Sequence, residues 1–349
     1  MNTKIETFNL GIKKHQDDAV CIRIPDNSSV AVVTTKNKFA AAPVELTKTN
    51  IKKANPKYLL INSGNANACT GSTGLLNANK CCIAISKKLS CKPTEVLLYS
   101  TGIIGKQLPI KKILSSIMNH DFKFTNQWIR ASKSIMTTDK FHKHIKRSFY
   151  INKYKITIHA ICKGAGMIEP NMATMLAFID IDVNLSKTVT SKLLKHCVDL
   201  SFNRISVDGD MSTNDCVTLI ASGSKSSPAF KPVKTDLLKI QQHLLIVCKD
   251  LSAMIIKDGE GSTKSIQTNI CNAKNSDEAR KIAYALVNSP LVKTAIYGCD
   301  PNWGRIAAKL GSIFDATYNP NKVVIKINNI IVYKNGIEPV NLNLTKLKS

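Results

Sequence analysis

The sequence predicts an α/β protein whose sheets are largely antiparallel or mixed and are covered by helices. Three observations predict it. Apolar runs of strand length recur throughout, as in "YLLINSGN", "TEVLLYSTG" and "TMLAFIDIDV". Segments with helical spacing lie between them. Strand–turn–strand patterns outnumber clear strand–helix–strand units, which argues against an all-parallel sheet.

Taken in order, "AVCIRIPDNSSVAVVTT" (19–35) reads as strand, turn, strand around Pro25-Asp26-Asn27. "YLLINSGNANACTG" (58–71) is a short buried strand that ends in a Gly/Asn loop. "GLLNANKCCIAISKKLS" (74–90) has helical spacing, and "TEVLLYSTGIIG" (94–105) is again a strand entering a Gly loop. "ITIHAICKGAGMI" (156–168) alternates and then turns. "TMLAFIDIDV" (174–183) is continuous strand, and "SKLLKHCVDLSFNRI" (191–205) is an amphipathic helix. The first half of "LLIVCKDLSAMIIKDGEG" (244–261) reads as the end of a helix. Ser276 is placed as N-cap of a helix in "SDEARKIAYALVNSPLV", with Asp277 and Glu278 in its first turn and Pro290 as its stop. "KVVIKINNIIVYKNG" (322–336) is a strand pair turning on Asn-Asn.

The chain has 349 residues, enough for one large or two intermediate domains, and is 44% hydrophobic. Net charge is +25. A charge of that size suits anionic partners. Yet the basic residues are not interleaved with aromatics, and no nucleic-acid motif accompanies them, so no nucleic-acid partner is expected. The stretch "ASKSIMTTDKFHKHIKR" is locally basic, and its His142 and His144 read as solvated rather than metal-bound. The eleven cysteines show no CxxC pair or Cys/His ligand spacing, which points away from a disulfide framework and a metal site. They read as small apolar residues in a reducing compartment. No apolar h-region opens the chain and no run has the length of a membrane span, so a cytoplasmic, membrane-free protein is expected.

Six strand ends run into polar, Gly-containing loops: "NSGNANACTG", "STGIIG", "KGAGMIEPN", "VDGDMSTND", "KDGEGSTK" and "GCDPNWGRI". Together they suggest one shared site at the loop end of a sheet. None fits a phosphate loop or a dinucleotide fingerprint, so no cofactor is expected. Within "KGAGMIEPNMATMLAF" (163–178), Thr174 stands at a turn-to-strand junction after small Ala173. A Thr hydroxyl needs a base to become a nucleophile. An N-terminal Thr has one in its own α-amine, with an ordinary pKa of about 7.7–8.0. Scission of the Ala173–Thr174 bond would free that amine. By spacing alone this is one hypothesis among several, and a Thr beginning a strand is usually just a β-branched residue in a strand.

These segments resemble, in order and spacing, the glutamate N-acetyltransferase / ornithine acetyltransferase family, the self-cleaving bifunctional enzymes of arginine biosynthesis. The resemblance rests on "GIKK…TTKNKFAAAPV", "INSGNANACTG", "YSTGIIGKQLP", "IMTTDKF", "KGAGMIEPNMATMLAF", "SFNRISVDGDMSTND", "KDGEGSTK" and "YGCDPNWGRI", and spans roughly residues 8–340. It implies an N-terminal-nucleophile-like layered fold with a smaller C-terminal α/β region. It implies cleavage into an α chain, 1–173, and a β chain, 174–349, assembled as two of each. Thr174 would be the nucleophile for scission and for acyl transfer, and Thr101 and Gly102 the oxyanion hole. Thr137 (or Thr138 beside it), Lys163 and Glu260 would bind substrate, Lys163 at a carboxylate and Glu260 at an α-ammonium. Taken alone, these residues read as turn or cap threonines, a surface lysine and a loop acid.

The implied reaction passes an acetyl group from N²-acetyl-L-ornithine to L-glutamate in ping-pong order. Some members also take acetyl-CoA, and no motif here decides that point. A related-fold N-terminal-nucleophile aminopeptidase or amidohydrolase, and an inactive basic binding protein, are the competing readings. Family members continue past the position where this sequence ends, with an Asn and a Thr or Ser at the substrate. Asn341, Asn343 and Thr345 are of the right types, but the surrounding pattern is absent and they receive no role.

Overall fold

The computed structural model describes residues 3–14, 16–169, 175–223 and 230–339, and the chain divides into two units, Met1–Glu260 and Gly261–Ser349. The first unit contains β1 (Lys4–Phe8), β2 (Ala19–Arg23), β3 (Ser29–Thr34), α1 (Ala42–Lys53), β4 (Tyr58–Asn65), α2 (Gly71–Lys88) and β5 (Val96–Ile103). It continues with α3 (Ile110–Asn119), α4 (Trp128–Ser134), β6 (Lys143–Ile151), β7 (Tyr154–Lys163), β8 (Leu176–Ile181), α5 (Lys187–Asp199), β9 (Cys216–Ala221) and α6 (Lys234–Lys257).

Its strands form two mixed sheets, in the orders β1-β2-β4-β5 and β3-β9-β8-β7-β6. Each sheet has one parallel pair, β4 with β5 and β8 with β9; the other pairings are antiparallel. The parallel pairs are joined by α2 and α5, because parallel strands need a long crossover.

Alternation along the strands sorts their side chains into layers. Leu59, Ile61, Leu97 and Tyr99 of the first sheet meet Ile161, Leu176, Phe178 and Ile220 of the second. Leu60 and Leu98 point the other way, onto Cys82 and Ile85 of α2 and Ile113 and Ile117 of α3. On the far side of the second sheet, Ile158, Ile179 and Leu219 pack on Leu194 and Val198 of α5 and Leu244 and Leu251 of α6. The result is a helix–sheet–sheet–helix sandwich, the layered N-terminal-nucleophile-like arrangement. Both faces of both sheets are covered, which is why the strands read as unbroken apolar runs. Seven of the eleven thiols are buried in these layers.

The second unit holds α7 (Ser276–Val287), α8 (Pro290–Tyr297), α9 (Trp303–Gly311) and the hairpin β10 (Val324–Ile327) with β11 (Ile330–Lys334). Asn328 and Asn329 turn the hairpin with φ of 48° and 67°, both in the left-handed region that such two-residue turns require. It is the smaller C-terminal α/β region. Among the described residues no helix is long and apolar enough to cross a membrane.

Three local expectations are corrected. β2 and β3 do not pair: β1 and β4 occupy both edges of β2, so the chain crosses at Pro25-Asp26-Asn27 and β3 joins β9 in the other sheet. The segment at 244–261 is helical to Lys257 because its apolar stripe continues through Val247, Leu251 and Ile255 onto the second sheet. Asn275, not Ser276, caps α7, its side chain accepting the N–H groups of Asp277 and Glu278. Pro290 does more than stop α7: it is the first residue of α8.

Phe178 lies edge-on to Tyr99 between the sheets, with ring centroids 5.0 Å apart, and the Tyr99 hydroxyl lies 2.8 Å from Thr218 Oγ1. Phe178→Ala is expected to cost about 3–5 kcal/mol, measured by urea denaturation, since the two rigid sheets have little room to close the void. A loss below about 1 kcal/mol would show that the inter-sheet layer does not carry the fold.

Candidate active site

The strand register brings the polar loops to one end of the sandwich. Lys163 at the end of β7 pairs with Leu176 at the start of β8, which sits beside Cys216 at the start of β9; Thr34, ending β3, is opposite Cys216. Asn214 Nδ2 bridges to the first sheet, donating to the carbonyls of Ala66 (2.7 Å) and Ser100 (2.9 Å). The C-terminal ends of β4 and β5 therefore lie at the same place. Residues of five of the six polar loops take part in this end of the first unit. The sixth, "GCDPNWGRI", belongs to the second unit, where it joins α8 to α9 and Asn302 caps α9.

Gly102 sits on β5 with φ of 132°, and a Cβ there would lie 2.3 Å from the backbone of Gly64. Only glycine lets the two strand ends approach so closely. Beside it, buried Thr101 accepts a hydrogen bond from Lys163 Nζ at 3.2 Å. Since that bond uses a lone pair, the Thr101 O–H stays available as a donor.

Lys163 is itself buried. Burial, its largest influence, lowers its pKa below the ordinary lysine value; Lys143 lowers it further, while Asp139, Asp215 and Glu260 oppose the shift. Asp139 Oδ2 lies 4.0 Å away. Asp139 is a hub: Oδ1 accepts from Gly164 N–H (2.7 Å) and Lys143 Nζ (2.7 Å), and Oδ2 accepts from Thr137 N–H (3.0 Å). Burial pushes the Asp139 carboxyl upward, but Lys163, Lys143 and the Gly164 N–H outweigh it and hold it below the usual carboxylate range. Lys143 Nζ also reaches Asp258 Oδ2 at 2.5 Å, and both Asp258 oxygens accept from Lys140 N–H. Burial depresses the Lys143 pKa, yet Asp139 and Asp258 raise it overall.

Two residues past Asp258, Glu260 donates its backbone N–H to Ala165 O at 2.7 Å. Its carboxylate lies over Gly166, where a Cβ would come within 2.7 Å of Glu260 Cδ. The sequence-predicted residues Thr101, Gly102, Thr137, Lys163 and Glu260 are thus gathered on 163–166 and the loops that touch it. Ala173 and Thr174 lie outside the described residues, as do Asn341, Asn343 and Thr345. The amide that follows Thr174 is placed: Met175 N–H donates to Asp215 Oδ1 at 3.0 Å.

Sequence reasoning missed several members. Lys143 stands between His142 and His144 in the locally basic stretch, yet it is fully buried. His144 is also not free in solvent: it lies half-buried against His159, its Nε2 3.5 Å from His159 Nδ1. Lys13 is a further cation, its Nζ donating to Met136 O at 2.6 Å; burial lowers its pKa, with Lys163 adding to that against Asp18 and Asp139. Asp18 accepts the N–H groups of Leu10, Ile12 and Lys13 and so shapes that turn. Asp139 and Asp258 stood within quoted motifs, two residues from Thr137 and Glu260, and that adjacency was the available signal.

Residues 4–349 match the ArgJ family. The chain belongs to that family. The arginine biosynthesis bifunctional protein ArgJ of Pseudomonas fluorescens is 39% identical over 329 residues, 93% of this chain and 81% of that one. The ArgJ protein of Methylococcus capsulatus is 38% identical over 322 residues, covering 92% and 79%. A crystal structure of the arginine biosynthesis bifunctional protein argJ from Bacillus halodurans aligns with 31% identity and a TM-score of 0.45, over 49% of this chain and 91% of that one.

Lys143→Met is expected to destabilise the protein by about 3–5 kcal/mol, because it strands two buried carboxylates. The cluster also sets a pH dependence. The Asp139 pKa is lower folded than unfolded, so its stabilisation is complete above the ordinary Asp value of about 3.9 and disappears as pH falls through the folded value. Urea midpoints taken across the acid range should decline for the wild type and flatten for Asp139→Asn. Equal slopes for both proteins would remove Asp139 from the account.

Proposed function

We propose that this chain transfers an acetyl group from N²-acetyl-L-ornithine to L-glutamate through an acetyl-Thr174 ester, after scission of its own Ala173–Thr174 bond. The observation that carries the reading is the Lys163–Thr101 contact at 3.2 Å, with the Thr137 and Glu260 loops tied to the same turn. In the scission, Thr174 Oγ attacks the Ala173 carbonyl carbon. The hydroxyl proton passes to the Thr174 nitrogen as the C–N bond breaks, and water opens the ester to an Ala173 carboxylate and a free N-terminal Thr174.

In transfer, the Thr174 α-amine takes the hydroxyl proton as Oγ attacks the acetyl carbon, and ornithine leaves with that proton on its own amine. The glutamate amine then attacks the ester and restores Thr174. Thr101 O–H and the Gly102 N–H serve the oxyanion of both tetrahedral intermediates. Lys163, by polarising Thr101 and sitting close as a cation, favours the neutral α-amine. Lys163 also receives a substrate carboxylate, Glu260 the α-ammonium, and Thr137 completes the substrate contacts.

The α chain (1–173) contributes β3, β6 and β7 to the second sheet, and the β chain (174–349) contributes β8 and β9. That sharing supports two fragments that stay together after scission, and we assign the working assembly two of each. The reduced thiols of the layers support a cytoplasmic setting.

Purified protein on a denaturing gel is expected to give two fragments that co-migrate under native conditions, the second with Thr174 at its N-terminus. Thr174→Ala should stay intact and inactive; a lasting intact wild-type band would end the scission reading. Thr101→Ala should keep the fold and slow transfer by about 10²–10³-fold. A change under about threefold would mean Thr101 does not face the oxyanion. Acetate release from N²-acetylornithine without N-acetylglutamate formation would instead indicate a hydrolase.

A further inference from the structure

N²-Acetyl-L-ornithine and L-glutamate share an α-carboxylate and an α-nitrogen and differ at the far end of the side chain. The donor carries an ammonium there, and the acceptor a second carboxylate. One site that serves both in ping-pong order meets the shared groups with the same residues. The second carboxylate of glutamate then needs a cation of its own, because Lys163 is already given to a carboxylate.

The transfer steps leave Lys13, in "GIKK", without a task. Its backbone is fixed by Asp18, whose Oδ1 accepts from Leu10 N–H at 2.6 Å and whose Oδ2 accepts from the N–H groups of Ile12 (2.6 Å) and Lys13 (2.7 Å). Its stem lies along Gly64 in β4, where φ is 98° and a Cβ would come within 3.1 Å of Lys13 Cγ. Gly64 is also the residue that a Cβ on Gly102 would strike, so the stem passes beside the strand ends assigned to the oxyanion. Its tip is held too: Nζ donates to the carbonyl of Met136, one residue before Thr137, at 2.6 Å.

An ammonium has three donors. Lys13 Nζ uses one of them among the described residues, on that carbonyl, and it forms no ion pair with a carboxylate there. Lys143, by contrast, is bonded to two carboxylates. The neighbouring acids are engaged elsewhere, Asp18 on three backbone N–H groups and Asp139 on Thr137, Gly164 and Lys143. Lys13 is half-buried, unlike the fully buried Lys163. A partly desolvated ammonium with free donors, held at both ends of its side chain, needs little ordering to receive an anion.

We propose that Lys13 receives the side-chain carboxylate of glutamate and thereby selects the acceptor. Lys163, deeper and against Thr101, keeps the α-carboxylate common to both substrates. Lys13 meets the end where they differ. The same charge opposes the terminal ammonium of ornithine, so it discriminates in one direction. The proposal rests on the transfer reading above.

Acetyl transfer from N²-acetylornithine is measured with glutamate and with glutamine, the neutral isostere of its side chain. Wild type should prefer glutamate. Lys13→Gln keeps an N–H for the Met136 carbonyl and loses the charge; Lys13→Met loses both and keeps the stem. Each should lower the ratio of kcat/KM for glutamate to that for glutamine on the order of 10–10²-fold, the scale of one hydrogen bond to a charged group. The change should lie in the KM for glutamate. A mere tether to Met136 gives a different result: in Lys13→Met both acceptors decline together with the melting temperature, and the ratio stays at the wild-type value. That outcome would overturn the proposal, as would a wild type that takes both acceptors equally well. Calorimetric binding of glutamate keeps the two readings apart. If wild type transfers no acetyl group, the transfer reading fails; if glutamate binds Lys13→Gln as tightly as wild type, the Lys13 proposal fails.

Discussion

One lysine ammonium shared between two carboxylates, all three buried, is the constraint on which the site depends. Lys143 at the start of β6 holds Asp139 at 2.7 Å and Asp258 at 2.5 Å. Bringing these charges out of water is costly, and only close pairing with further hydrogen bonds offsets the cost. The remaining acceptors are used on backbone: Asp139 on Thr137 and Gly164, Asp258 on Lys140. Three chain segments distant in sequence, 137–140, 163–164 and 258–260, are thereby locked together. They carry the three residues assigned to substrate.

That arrangement explains how Lys163 can be buried beside a hydroxyl. Its ammonium is partly balanced by Asp139, but Asp139 is also committed to Lys143, and the balance leaves the Lys163 pKa below the ordinary value. Lys13 adds a second incompletely neutralised cation close by. Lys163 and Lys13 lie among the acids Asp18, Asp139, Asp215 and Glu260, so the local charge is mixed.

Much of the architecture was legible because burial on both faces writes unbroken apolar runs into the strands, as at 58–61 and 176–179. What stayed hidden was pairing. Nothing in "AVCIRIPDNSSVAVVTT" says that β2 already has two neighbours, so its partner in sequence had to join another sheet. Of the site, Thr101, Gly102, Thr137, Lys163 and Glu260 were legible through motif resemblance, and their loops do converge. Lys143 was not, because a lysine in "KFHKHIKR" looks like solvated surface until two aspartates from other segments are brought to it. Asp215 was legible only as the end of a motif; its contact with Met175 exists because β8 and β9 run parallel and in register.

The central claim is that Thr174 carries the acetyl group between substrates. The direct measurement is the mass of the fragment beginning at Thr174 after rapid quenching of a reaction with N²-acetylornithine and no glutamate. One added acetyl group on that fragment, localised to Thr174 and removed when glutamate is supplied, is the predicted result. A fragment that never gains acetyl while N-acetylglutamate forms at the normal rate, or an acetyl group localised on another residue, would contradict it.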